Sequence, residues 1–246
     1  MVDATGDERT MGRFDTVRVL SFDCYGTLID SGEGVLAALG GWRDRTQLDV
    51  ADRELLDAFD RHEAAQEVVH PTALYPRILE ETLAAMGDEL GARPTAEEAT
   101  AFGASVGSWP AFEDSAASLL RLSAQFKLIV VSNVDRASFA KSQEKLGLRF
   151  DAVITAEDVG AYKPAQPHFD ALFATVERMG YARDQLLHVA QGLVYDHEPA
   201  QRLGFRAAWI NRQMLRSAHT GTFHTLPMRT PEIEYPSMAA FTADAT

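Results

Sequence analysis

The chain has 246 residues, 46% of them hydrophobic, enough for one large domain or for a core domain carrying a smaller insertion. Its 23 basic and 36 acidic residues leave a formal net charge of -13 with no basic cluster, which excludes the footprint of a nucleic-acid binder or of a protein drawn to an anionic membrane. An anionic substrate would have to be attracted against that field by a local cluster of donors.

Cys24 is the single cysteine, so no intramolecular disulfide can form, and no apolar run reaches the roughly 18 residues of a membrane span. Residues 1–13 are acidic and polar, unlike a secretory signal, and are expected to be a flexible leader on a cytoplasmic protein. Residues 17–22 (VRVLSF) then form an apolar run ending in Asp23-Cys24-Tyr25-Gly26-Thr27, the pattern of a buried strand entering a tight loop. From about 34 to 107 helix formers dominate, with apolar residues at helical spacing over 55–67 and 78–86.

Apolar runs resume at 127–131 (KLIVV), 152–155 (AVIT), 186–190 (LLHVA) and 207–210 (AAWI), with helical periodicity between them at 136–146, 167–179 and 198–203. This alternation predicts an α/β fold, a Rossmann-like parallel sheet with helices on both faces. The stretch 213–235, rich in Thr, His and Pro, reads as irregular structure before a short helix around 237–241. The expected division is a core domain of residues 14–30 and 114–246 and an inserted helical cap domain of residues 31–113. Such a cap would lie over the C-terminal strand ends, where open α/β sheets keep their sites, and exclude water.

Four strand ends carry chemistry. Asp23 sits where a buried strand gives way to a glycine turn, with the Thr27 hydroxyl able to orient it; a carboxylate held there can be a nucleophile or can cap the turn. Val131-Ser132-Asn133 ends the second run with a hydroxyl and an amide suited to an oxyanion, or to a helix cap. Ala161-Tyr162-Lys163-Pro164 follows the third run, and Asp196 lies in the loop after the fourth. Each alone has a structural reading; Asp, Ser, Lys-Pro and Asp at four successive strand ends is not a chance pattern.

In this order the motifs resemble those of the haloacid dehalogenase (HAD) superfamily over nearly the whole chain. The resemblance implies that Asp23 is the nucleophile, that Thr27 and Ser132 position it and the substrate, that Lys163 balances the negative charges, and that Asp196 completes the fourth corner. Most members are magnesium-dependent phosphatases with a second aspartate two residues after the nucleophile, where this chain has Tyr25, and a metal-binding carboxylate opening the fourth loop, where it has Ala190-Gln191. Magnesium favours carboxylates and water in octahedral geometry, so no metal and no cofactor is expected.

Asp-Cys-Tyr-Gly-Thr-Leu, Tyr162-Lys163-Pro164 and Trp209-Ile210-Asn211-Arg212 look instead like the metal-free 2-haloacid dehalogenase branch. There the aspartate displaces halide from the carbon next to the substrate carboxylate, and water hydrolyses the resulting ester. By this resemblance Lys163 and Asp196 orient the water, Ser132 and loop N–H groups hold the carboxylate, and Cys24, Tyr25, Asn133, Phe169 and Gln191 belong to the substrate pocket. The partner is then a small anionic 2-haloacid, and a homodimer is implied.

The chain departs from that branch around the substrate. Gln191-Gly192-Leu193 replaces a Ser-Ser-Asn triplet, and Phe169 replaces a tyrosine six residues after the lysine. The cap arginine that receives halide has no aligned counterpart; Arg61 is the candidate, with His62 or Trp109 able to line the same pocket. Two alternatives stay open: a magnesium-dependent phosphatase acting on a small phosphomonoester, and a catalytically silent binding protein on the same fold.

Overall fold

The computed structural model describes residues 13–212 and 229–246. Residues 1–12 of the expected leader and 213–228 of the Thr-, His- and Pro-rich stretch lie outside the described residues. Arg13 is tied down, its Nη1 donating to the Tyr235 hydroxyl at 3.1 Å.

Six strands make one parallel sheet in the order β3-β2-β1-β4-β5-β6. They are β1 (Val19–Phe22), β2 (Lys127–Ser132), β3 (Ala152–Thr155), β4 (Leu186–Ala190), β5 (Arg206–Ile210) and β6 (Glu234–Tyr235). The first five coincide with the apolar runs. β6 corrects the expectation of irregular structure up to residue 235: it is two residues long, and the bond from Trp209 N to Ile233 O at 2.8 Å sets it against β5.

Strand residues alternate between two cores, so every central strand is apolar on both faces. Leu20, Phe22, Val130 and Val189 enter one cluster, and Val19, Ile129, Val131 and Leu186 the other. The helices follow in chain order. Between β1 and β2 come α1 (Ser31–Thr46), α2 (Asp52–Val69), α3 (Tyr75–Glu89), α4 (Ala96–Gly103) and α5 (Ser115–Ser123). After β2 come α6 (Arg136–Leu146), α7 (Ala156–Val159), α8 (Gln166–Arg178), α9 (Glu198–Leu203) and α10 (Met238–Ala245). Phe169, Leu172, Phe173 and Val176 of α8 cover the second cluster.

Helix starts are encoded locally. The Asp30 side chain accepts from Glu33 N at the start of α1, Pro76 lies in the first turn of α3, and Thr95 with Glu98 forms a capping box on α4. The apolar faces of α1 to α4 join the first sheet cluster through Leu39, Trp42, Leu55, Ile78 and Phe102. The chain runs out to these helices and back side by side, with Asp30 N bonded to Pro110 O at 2.8 Å and Phe112 N to Leu28 O at 3.1 Å. Among the described residues no helix is long and apolar enough to cross a membrane.

β1 pairs with β2 on one side and β4 on the other, so chain connections leave it in opposite directions. That is the topological switch point, where a crevice opens beyond the carboxyl ends of the strands.

Candidate active site

Asp23 is the residue immediately beyond β1, its N–H bonded to Val189 O at 3.0 Å. The chain turns at once: Leu28 N bonds Cys24 O at 2.7 Å and Gly26 adopts φ +83°, a conformation glycine takes without strain. The turn brings the Thr27 hydroxyl back to donate to Asp23 Oδ2 at 2.7 Å, while the Thr27 Oγ1 itself accepts from Gln191 N at 2.9 Å. The loops after β1 and β4 are thereby clamped together.

Lys163 reaches the same point from the segment after α7. Its buried Nζ donates to Asp23 Oδ1 at 2.8 Å, Asp196 Oδ1 at 2.8 Å and Val131 O at 3.1 Å, which uses all three ammonium protons. Asn133 fixes the lysine backbone, accepting from Lys163 N at 2.6 Å and donating to Lys163 O at 3.3 Å. Asp196 lies on a short π-helical turn, Leu193–His197. Behind it, His188 Nε2 is 3.0 Å from Asp196 Oδ1 and His188 Nδ1 is 2.8 Å from Ser21 Oγ. With Asp196 ionised, Nε2 donates to the carboxylate and Ser21 donates to Nδ1.

Two carboxylates share one ammonium, and their surroundings treat them differently. Burial acts to raise both. For Asp196 the Lys163 charge and the His188 bond outweigh it and hold the carboxyl below its usual range. For Asp23 burial prevails over Lys163, and the neighbouring Asp196 adds to it, so this carboxyl lies above its usual range. Burial acts to lower Lys163, but Asp196 and Asp23 outweigh it and keep the ammonium charged. Pairs of titratable groups pushed apart in this way mark division of labour in a site.

The cavity at this centre holds about 90 Å³. Asp23, Tyr25, Asn133, Lys163 and Asp196 line it, as do Gly192 and Tyr195. Thr27 stands directly behind Asp23. The Tyr25 ring faces the cavity while its hydroxyl pairs with Ser142 Oγ at 2.8 Å.

Other expected residues lie elsewhere. The Ser132 hydroxyl is buried without a hydrogen-bond partner among the described residues, and Ser132 is outside the lining. Cys24 is in the core, burial pushing its thiol well up. Gln191 acts through its backbone, its carbonyl accepting from Trp209 Nε1 at 3.1 Å. Trp109 stands behind Tyr25, with ring centroids 5.6 Å apart and edge to face. Phe169 packs on Phe205 in the second core cluster, so its missing hydroxyl has no bearing on the cavity.

Arg61 is not in the lining either. Its Nη2 donates to Glu89 Oε1 at 2.6 Å and its Nη1 to Asp57 O at 2.9 Å, while His62 Nε2 pairs with Glu89 Oε2 at 2.6 Å. Residues 63 and 67, one turn apart, form the face of α2 that meets the cavity, and residue 61 points roughly 200° around the helix from 63. The wall therefore receives Glu63 and Glu67, with Tyr75 from α3.

These three, with Tyr195, Ser21 and His188, escaped the sequence reading. Two signals were present: acidic residues at i and i+4, and a histidine inside an apolar strand run.

The donor set does not fit magnesium. Asp23 and Asp196 each give an oxygen to the ammonium lying between them, Tyr25 has no carboxylate, and Gln191 turns its N–H to Thr27. Among the described residues no group of three or more His, Cys, Asp or Glu side chains could hold a metal ion.

Comparison with curated proteins finds no match. Solved structures do match in shape. A defluorinating L-2-haloacid dehalogenase is 20% identical with a TM-score of 0.73, covering 93% of this chain and 95% of its own. The L-2-haloacid dehalogenase from Xanthobacter autotrophicus with chloropropionic acid covalently bound is 19% identical, TM-score 0.75, covering 92% and 97%. YfnB from Bacillus subtilis, assigned as a HAD-hydrolase and solved with magnesium, is 16% identical, TM-score 0.74, covering 93% and 98%. At these identities the likeness shows the fold. The family model for haloacid dehalogenase-like hydrolases matches residues 17–204, and the chain belongs to that family.

Proposed function

We propose that this hydrolase is a metal-independent dehalogenase of small 2-haloacids, with Asp23 as nucleophile and residues 31–113 as the cap over its site. The observation that carries the reading is the buried Lys163 ammonium bonded to both Asp23 and Asp196, so that neither carboxylate is left with both oxygens free. In the reaction an Asp23 oxygen attacks the carbon bearing the halogen, and halide leaves with the bonding electrons. No proton is required, which suits Tyr25 in place of an acid. An ester to Asp23 remains.

Water then adds to the Asp23 ester carbonyl and gives its proton to Asp196, whose Oδ2 is buried and has no hydrogen-bond partner among the described residues. Collapse breaks the acyl–oxygen bond, Asp196 returns the proton to the departing alkoxide to release the hydroxy acid, and loss of the second water proton to solvent restores the Asp23 carboxylate. Lys163 balances the negative charge on Asp23 in both steps, and Thr27 fixes the orientation of the attacking group.

The test is halide release from a panel of 2-haloacids by chelator-treated protein, beside Asp23→Asn. Release without metal, lost in the variant, is expected, together with an adduct on Asp23 by mass spectrometry. Magnesium-dependent release of phosphate from phosphomonoesters, with no halide from any haloacid, would overturn the reading.

A further inference from the structure

The wall of the cavity facing Asp23 and Lys163 is lined with carboxyl groups rather than with donors for a simple anion. Glu63 and Glu67 stand one turn apart on α2, each with one oxygen engaged: Glu63 Oε1 by the Tyr75 hydroxyl, Glu67 Oε1 by Asn133 Nδ2 at 3.1 Å. Among the described residues no hydrogen bond reaches the second oxygen of either. Among the described residues the lining thus has four carboxyl groups, Asp23, Asp196, Glu63 and Glu67, and a single cation, Lys163, whose donors are spent within the centre itself.

A second observation points the same way from the other side of the cavity. Asp196 is 1% exposed, and its Oδ2 is a buried acceptor with no hydrogen-bond partner among the described residues, lying over Gly192 at the wall. Buried carboxylates are costly unless a countercharge with donors meets them. Burial accordingly pushes Glu63 up to about 8, and burial with the neighbouring Glu63 charge pushes Glu67 well above its usual range. The rings of Tyr25, Tyr75 and Tyr195 complete the enclosure, surfaces that favour a cation.

We propose that the cavity takes a substrate carrying a protonated amine, seated between Glu63 and Glu67 at the end remote from the carbon that Asp23 attacks. The proposal rests on Asp23 as nucleophile and narrows the substrate class to small amino-substituted haloacids. An ammonium brings three donors to the free oxygens of the two glutamates. A haloacid with only an alkyl tail leaves both unpaired, and that is the basis of discrimination.

The test uses the full chain, chelator-treated, and two ligands of equal length, 4-aminobutyrate and pentanoate, which differ by ammonium against methyl. Calorimetry is expected to show 4-aminobutyrate binding about tenfold or more tighter, with Glu67→Gln and Glu63→Gln each removing most of that preference. Equal binding, or tighter binding of pentanoate, would overturn the proposal whether or not the variants fold. So would a preference that survives both substitutions in variants whose melting shows them folded.

Chloride release from 4-amino-2-chlorobutanoate against 2-chloropentanoate separates this inference from the reading it rests on. Glutamate-dependent binding of the amine with no chloride from either compound leaves the ammonium seat standing and removes the dehalogenase. Chloride from 2-chloropentanoate at an equal or higher rate keeps the dehalogenase and removes the seat.

Discussion

Lys163→Met takes the ammonium from between Asp23 and Asp196 and keeps much of the stem that fills the space. The side chain is 1% exposed, and its Nζ holds two carboxylates at 2.8 Å and one carbonyl at 3.1 Å, so a single change strands three acceptors. Removing one partner of a buried ion pair costs about 3–5 kcal/mol. The second carboxylate adds to this, but Asp23, already above its usual range, can take a proton and cap the loss, so about 4 kcal/mol is expected at pH 7.

The sign with pH follows from the same groups. Lys163 is raised, so its contribution is complete below the unfolded value of 10.5 and is lost only as pH climbs through its higher folded value. Asp196 is depressed, so its contribution is present above 3.8 and lost as pH falls through its folded value. Asp23 is raised, so the gap between wild type and variant narrows as acid protonates it and leaves one buried charge fewer for Lys163 to balance. Urea unfolding followed by circular dichroism at pH 4, 7 and 9 measures it. A loss under about 1 kcal/mol at pH 7, or one unchanged at pH 4, would refute the view that one ammonium holds both carboxylates.

Glu63, pushed up to about 8 by burial, favours the fold when protonated; that contribution is complete below 4.5 and lost as pH rises through 8. Thermal melts of wild type should fall between pH 5 and 9 more steeply than those of Glu63→Gln, and parallel curves would count against an ionisable wall. His188→Phe takes a donor from Asp196 and strands Ser21, at about 1–3 kcal/mol. If Asp196 is the base, that variant should show a burst of halide followed by slow turnover in rapid-mixing kinetics; a uniform slowing without a burst contradicts it. In Gly34→Ala the new Cβ would run into Trp109 Cβ and Cγ, an overpacking of about 1–3 kcal/mol by denaturant unfolding. Because Trp109 backs Tyr25, halide release should drop as well, and a variant as stable and active as wild type would show that this contact relaxes freely.

The strands were legible because a parallel strand buried on both faces is a continuous apolar run, and 152–155 and 186–190 agree with β3 and β4 to the residue. The meeting of Asp23, Lys163 and Asp196 was legible for a topological reason. A parallel sheet sends every carboxyl end to one edge, so residues that close consecutive strands become neighbours whatever lies between them. β6 had no such signal, since two residues carry no period.

Helix register carries a different kind of information. The periodicity of α2 shows that it is a helix, yet the stretch from Asp60 to Glu67 presents acidic and basic residues on several sides, and only packing decides which side meets the sheet. A search for a halide-binding arginine selects Arg61, which Glu89 and Asp57 hold on another face, and does not single out Glu63 or Glu67. The place of Asp23 is thus fixed by strand order and that of Glu63 and Glu67 by helix rotation. A chain of net charge -13 offers an anion no long-range attraction, and its cavity adds two more carboxylates opposite Asp23. On the proposed reading an ammonium cancels the charge of the substrate carboxylate, so the field of the chain no longer opposes approach.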